Sequence, residues 1–218
     1  MRPIQKTTYV ESAVANGVAL TQTPVNTTDL TIAGSYATAG VATYPFATYV
    51  TFTSTSNLST VTFTVTGTNS AGQVVTSAIV GPNNTTVTGV VQFKTITKIA
   101  VATVTTFSTE KVVVGGAAVG VGNGDWWPMD IYNPNQVTTI SCNIVGSGSV
   151  TYSVEYTNED PFDTSITQLA VAHPTAALTG ASTDQTAFTT TLMRAVRVNV
   201  ASGSAGTLRT TVVQQSTV

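Results

Sequence analysis

The 218-residue sequence contains one cysteine, Cys142, and one histidine, His173. A single thiol makes no intrachain disulfide. A single imidazole obliges any Ser-His-Asp or Cys-His chemistry to pass through His173. That residue precedes Pro174 in a loop, and neither it nor Cys142 sits in the signature of such an enzyme. A loop histidine and a small buried thiol are the plainer readings. Charge is equally scarce, with eight basic and ten acidic residues and a formal net charge of −2. So few cations neutralise few phosphates, which argues against a nucleic-acid partner. No basic run or amphipathic helix points to a membrane surface. No stretch of about twenty apolar residues is present to span a bilayer. After Arg2 and Lys6 the apolar residues are interrupted by Glu11, Ser12, Asn16 and Gly17, so no signal peptide is expected.

What the sequence has instead is threonine, about a fifth of all residues, followed by valine. Both are β-branched, stiff at χ1 and suited to a pleated surface, and no window carries a sustained helical stripe. The chain reads as all-β. Residues 61–69 alternate strictly, with Val61, Phe63 and Val65 on one face and Thr62, Thr64 and Thr66 on the other, the pattern of a half-buried strand. The same pattern returns at residues 150–158. Residues 93–102 return at 192–201, with Lys98 and Arg197 at one register and an apolar alternation after each. Two matches in the same order, with a longer loop after Asn158, predict an internal duplication.

The predicted architecture is therefore two tandem β-sandwich, Ig-like domains behind an extended N-terminal arm. The arm covers residues 1–20, the first domain 21–114, a Gly-rich linker 115–124 and the second domain 125–218. Expected strands in the second domain include residues 136–145, 150–156, 166–171, 187–193, 196–201 and 208–214. Gly146-Ser147-Gly148-Ser149 is read as a hairpin turn between the first two of these. In the first domain Gly81-Pro82-Asn83-Asn84 is the clearest turn.

No catalytic, cofactor or metal residues are assigned. Glu155, Glu159, Asp160 and Asp163 form the only acidic cluster, and clustered oxygen ligands can bind Ca²⁺. The spacing fits no calcium loop, and Pro161 and Phe162 split the set, so a solvated loop with Phe162 tucked into the core is expected. Too few acids are present to offer a supported glycosidase pair. Trp126 and Trp127 could form a sugar-stacking platform. Adjacent residues on a strand face opposite ways, so at most one faces the core. The plainer reading puts one Trp at the sandwich end and the other at the domain junction. The strands also carry few charged gatekeepers at their edges, which suits surfaces that are covered in an assembly.

Residues 61–72, with Gly81-Pro82-Asn83 and residues 93–99, resemble a segment common in tailed-bacteriophage structural proteins, which typically reads TFTVTGTDADG … GPNAGTV … YFKTVTSI. Asn69-Ser70 stands where an acidic pair is usual, so the turn is expected without a turn-bound ion. Residues 150–158 and 194–203 are similar to companion segments of the type VTYSVEYTFDD … RAIRLNVTSG. The resemblance covers residues 48–114 and these two later stretches. It implies a non-enzymatic virion protein, a capsid decoration or accessory subunit without cofactors. Its expected partners are the major capsid protein or neighbouring virion subunits, in a homo-oligomer or symmetric assembly. Its place would be the virion, assembled in the host cytoplasm. Arg2, Ile4 and Lys6 are the candidate capsid-contacting residues of an arm that orders on binding. Two alternatives are a neck, collar or tail ring subunit, and a receptor- or glycan-binding module using Trp126 or Trp127.

Overall fold

The computed structural model describes residues 3–103, 106–130, 136–163 and 165–216. They are all-β, and among them the one helical segment is a 3-10 turn at Ala176–Leu178. The chain divides into two compact units. A central unit spans Ala13–Val119, and a terminal unit combines Met1–Ser12 with Gly120–Val218.

Strand β1 (Ile4–Val10) belongs to the terminal unit. The central unit holds β2 (Val14–Gln22), β3 (Ala37–Thr38), β4 (Val41–Thr53), β5 (Val61–Thr68), β6 (Val74–Val80), β7 (Thr86–Thr103) and β8 (Val112–Gly116). They form one antiparallel sheet in the order β2-β8-β4-β7-β5-β6, with β3 on β4. Strand β7 runs for 18 residues and bonds β4 through residues 86–96 and β5 through residues 95–103. Phe52 of β4 and Phe63 of β5 stack, with ring centroids 4.5 Å apart and planes at 17°. Their strands are separated by β7 in hydrogen-bonding order, so the sheet folds over and its two parts face each other across one core. Val50, Phe52, Leu58, Phe63, Phe93 and Ile99 are fully buried there.

One lysine satisfies two carbonyls of a large bulge. Between the Thr43–Thr95 and Thr48–Phe93 pairs, β4 has four residues where β7 has only Lys94. The Lys94 ammonium donates to the carbonyls of Tyr44 at 2.7 Å and Pro45 at 2.8 Å, replacing ladder partners that the bulge removes. The buried Tyr44 hydroxyl donates to the Gly115 carbonyl at 2.9 Å, and a Cβ at Gly116 would lie 2.7 Å from the Tyr44 ring.

The terminal unit adds β9 (Gly122–Asn123), β10 (Trp127–Pro128), β11 (Gln136–Val145), β12 (Ser149–Thr157), β13 (Val171–Ala172), β14 (Gln185–Thr189), β15 (Ala195–Ser204) and β16 (Gly206–Ser216). One sheet has the order β1-β16-β11-β14, and a second the order β10-β15-β12-β13 with β9 also on β15. Ile140, Leu208 and Val212 of the first share a core with Tyr152, Val154 and Val198 of the second. Two antiparallel sheets over one core make a sandwich-like unit.

Several sequence expectations change here. Residues 4–10, read as part of an extended arm, are an edge strand paired with β16 from Ile4–Val212 to Val10–Gly206. Residues 14–20, a later part of that arm, lie in β2 of the other unit, which runs on to Gln22. Gly115 and Gly116 end β8, and Gly122–Asn123 is β9, so four of the ten residues of the expected linker are in sheet. Residues 146–148 do not close a hairpin, because β11 and β12 lie in different sheets. They arch from one sheet to the other beside the β15–β16 arch, where a Cβ on Gly148 would fall 2.2 Å from the Ala205 carbonyl. Of the strand expected at residues 166–171, only Val171–Ala172 forms. The one at residues 187–193 starts earlier and stops at Thr189.

The repeated segments pair with one another in each unit, and in the same register. In the central unit β5 and β7 set Phe63 opposite Val101, Val65 opposite Ile99 and Thr66 opposite Lys98. In the terminal unit β12 and β15 set Tyr152 opposite Val200, Val154 opposite Val198 and Glu155 opposite Arg197. Each terminal-unit pair is the sequence-aligned counterpart of the central-unit pair. The inward residues are buried in both: Val61, Phe63 and Val65 in one, Val150, Tyr152 and Val154 in the other.

Candidate functional site

A polar constellation lies on the outer face of the β15–β12 ladder. Period-two alternation sends Val154, Val196, Val198 and Val200 into the core and leaves Glu155, Arg197 and Asn199 on the opposite face. Cross-strand register then places Glu155 against Arg197. Arg197 donates to Glu155 Oε2 from Nε at 2.8 Å and from Nη2 at 2.7 Å, and Asn199 Nδ2 donates to Oε1 at 3.2 Å. The Arg197 and Glu155 side chains are only 15% and 18% exposed, so solvent screens this pair little.

The segment before β11 completes the group. Gly124 donates to the Val198 carbonyl at 2.8 Å, Trp127 pairs with Val196, and Met129 donates to the Arg194 carbonyl at 2.9 Å. Residues 122–129 thus run along the free side of β15, and alternation splits the tryptophans. Trp127 packs against the core. Trp126 lies on the other face, with the Arg197 guanidinium 4.4 Å from its ring centroid, in cation–π range. Arg197 therefore occupies one face of the ring that a sugar would stack on.

This network is internally satisfied, and its energetics are testable. Removing Arg197 leaves a partly buried carboxylate with only Asn199 in place of the guanidinium, so Arg197→Met is expected to destabilise the terminal unit by about 2 kcal/mol. The Arg197→Met, Glu155→Gln double variant should cost less than the sum of the singles by about 1 kcal/mol or more. Urea unfolding of the four proteins measures this, and strict additivity would contradict the coupling.

Of the candidate capsid-contacting residues, Arg2 lies outside the described residues. Ile4 packs against the terminal core. The Lys6 ammonium pairs with Asp125 at 3.1 Å and lies 5.9 Å from the Trp127 ring centroid. Ile4 and Lys6 are thus already ordered in β1. The acidic cluster is dispersed among separate partners. Glu155 serves Arg197, and Asp160 pairs with Arg194 at 2.7 Å. Glu159 accepts from the Leu169 amide at 2.6 Å. Asp163 accepts from the Ser165 amide and hydroxyl, which holds its carboxyl below the usual range. Among the described residues no group of three or more His, Cys, Asp or Glu is placed to hold a metal ion. Phe162, expected in the core, is instead 75% exposed, because the loop turns on Asp160 and directs the ring outward.

Cys142 is fully buried beside Thr210, and burial pushes its thiol up to about 11, so it stays protonated near neutrality. His173 is buried as well, its Nδ1 accepting the Thr175 amide at 3.1 Å and its Nε2 without a partner among the described residues. Desolvation lowers its pKa below the ordinary value of 6.5. As pH falls below that value, the unfolded chain takes a proton that the folded chain refuses, so stability declines toward acid. Asn at this position keeps the acceptor and removes the titration. The acid-side loss of urea midpoint between about pH 6.5 and the folded pKa should therefore shrink in His173→Asn. Equal pH slopes in the two proteins would contradict this assignment.

Two shallow pockets in the central unit measure about 150 and 120 Å³. The first is lined by Ser54, Lys111 and neighbouring threonines, the second by Pro24, Val25 and Phe107. Both fall below the roughly 300 Å³ at which small-molecule sites begin. In the sequence Arg197 aligns with Lys98, and Glu155 falls both in the acidic cluster and in the repeated segment at residues 150–158. The signal that could have joined them was the repeat itself, since pairing its two segments puts Glu155 opposite Arg197. Comparison with known proteins finds no family model, no curated protein and no solved structure that matches the chain.

Proposed function

We propose that this chain is a non-enzymatic structural subunit of a tailed-bacteriophage virion, a capsid decoration or cement protein bound to the major capsid protein. In this reading its two units are duplicated β-sandwich domains of Ig-like type. The observation that carries the proposal is the shared register of the β5–β7 and β12–β15 ladders. These ladders contain the segments that resemble phage structural proteins, so the resemblance lies in paired core strands of both units. A mechanical role also suits the surface chemistry. The polar network around Arg197 is spent on internal contacts. Large apolar side chains such as Val74, Val90 and Phe188 are more than 70% exposed. Surfaces of this kind gain from being covered, and many weak identical contacts on a symmetric shell add through avidity.

Binding to capsids tests the proposal. Purified chain should co-sediment with expanded empty heads that lack it, saturate at a fixed ratio to capsid protein, and leave isolated tails unbound. Trp126→Ala should bind heads as the parent does. Saturable binding to tails or collars alone would favour the ring reading. Loss of binding in a folded Trp126→Ala protein, with competition by free sugars, would favour the glycan reading.

A further inference from the structure

We infer that β6 is a self-association edge, through which two copies of this chain pair antiparallel and join their sheets. Among the described residues the β6 strand ends the seven-stranded sheet and pairs only with β5, without a register shift. Which of its backbone groups are free follows from the ladder. Gly81 donates to the Val61 carbonyl and Asn69 to the Gln73 carbonyl, so the odd-numbered residues of β6 exchange hydrogen bonds with β5. Antiparallel ladders alternate. The amides and carbonyls of Val74, Thr76, Ala78 and Val80 therefore point away from the sheet, and no hydrogen bond to them appears among the described residues. Their side chains are exposed too.

Other edges are managed in the ways that prevent pairing. Gly34 and Tyr36 donate to carbonyls of β2, and β1 carries Lys6. Strand β6 has no lysine, proline, glycine or bulge, and lies in a run of chain from Leu30 to Phe93 without a charged residue.

A second copy is the occupant that fits, because the strand is self-complementary. Antiparallel pairing about Ser77 sets Val74 opposite Val80, Val75 opposite Ile79 and Thr76 opposite Ala78 of the other copy. In that register all four outward residues fall at hydrogen-bonded positions, so every free amide meets a free carbonyl. Charge does not oppose it. The nearest outward cation across the sheet, Lys98, is two strands from β6 and paired with Asp29 at 3.3 Å. The two Lys98 residues would lie five strand spacings apart, about 24 Å, against a screening length of about 8 Å. A seven-residue edge buries less than the ~1,200 Å² of a standard stable interface, so the free dimer is weak, with a dissociation constant of roughly micromolar to millimolar order.

The test is sedimentation over a concentration series together with residue-resolved amide exchange on the whole chain. The expected result is a monomer–dimer equilibrium. With rising concentration the amides of Val74, Thr76 and Val80 should gain protection, while those of Val75, Ser77 and Ile79 are protected throughout. Ala78→Pro removes an outward amide and spares the β5 ladder, and should weaken dimerisation by about tenfold or more. Thr76→Lys with Ala78→Lys provides a second folded variant and should abolish it. A chain that stays monomeric into the millimolar range overturns the inference, as does a dimer that both variants leave intact. Protection of these amides only on capsids, with a monomer in solution, would overturn it in favour of a capsid strand as the occupant.

Discussion

Phe63→Ala is expected to cost the central unit about 3–5 kcal/mol, the range for emptying a fully buried aromatic site. Phe63 has no exposed surface, and its ring stacks on Phe52 at 4.5 Å. That contact joins the two parts of the folded sheet, so the space left cannot close by moving one strand. Domains of this size are stable by only about 5–15 kcal/mol, so the loss is a large share of the total. Phe63→Leu, which keeps most of the volume, should cost about half as much. Urea unfolding of the two variants checks the ordering. A Phe63→Ala protein within about 1 kcal/mol of the parent would mean that β4 and β5 do not face one another.

Gly67→Ala should be comparably damaging, by a different mechanism. A Cβ there would lie 1.9 Å from the Thr95 carbonyl oxygen, 2.9 Å from its carbon and 3.0 Å from the Ile96 Cα. All three are backbone atoms of β7, at the point where the β5–β7 register shifts. Relief requires the two strands to separate, which breaks ladder hydrogen bonds and opens the core behind Val65. A loss above about 3 kcal/mol is expected. Gly72 supplies the contrast, since a Cβ there meets nothing and only its φ of +77° is lost. Gly72→Ala should cost about 1 kcal/mol. Thermal melts of the pair separate steric from conformational cost, and equal shifts would contradict the close approach of β5 and β7.

What the sequence revealed tracks how local its signal was. Strands β5 and β12 alternate between apolar and polar residues, and they, like β11 and β16, are legible in the sequence within a residue or two of their ends. Asn69, read as a turn residue, accepts the amides of Ala71 and Gln73 on its side-chain oxygen. Strand β1 was hidden because its inward positions include Lys6 and Thr8, and its partner lies some 200 residues away. A lysine passes for an inward residue only when its ammonium has Asp125 and its stem has Trp127 beside it. Strand β2 was hidden by bulges. Its register on β8 slips twice, and Gly17, Val18 and Ala19 are buried in succession, which erases the alternation. The start of β4 was obscured by Pro45 and by a bulge whose remedy, Lys94, is about 50 residues downstream. Of the candidate site, the tryptophans and Arg197 were singled out separately. Their meeting depends on residues 122–129 running along β15, a tertiary fact without a local signature.

We propose that the chain is a repeated component of a phage particle, and its copy number in purified virions tests this most directly. Quantitative mass spectrometry against the major capsid protein is predicted to give a ratio near one to one, or a simple fraction of it. About six or twelve copies would assign the chain to a neck or tail ring, and its absence from purified particles would contradict the account.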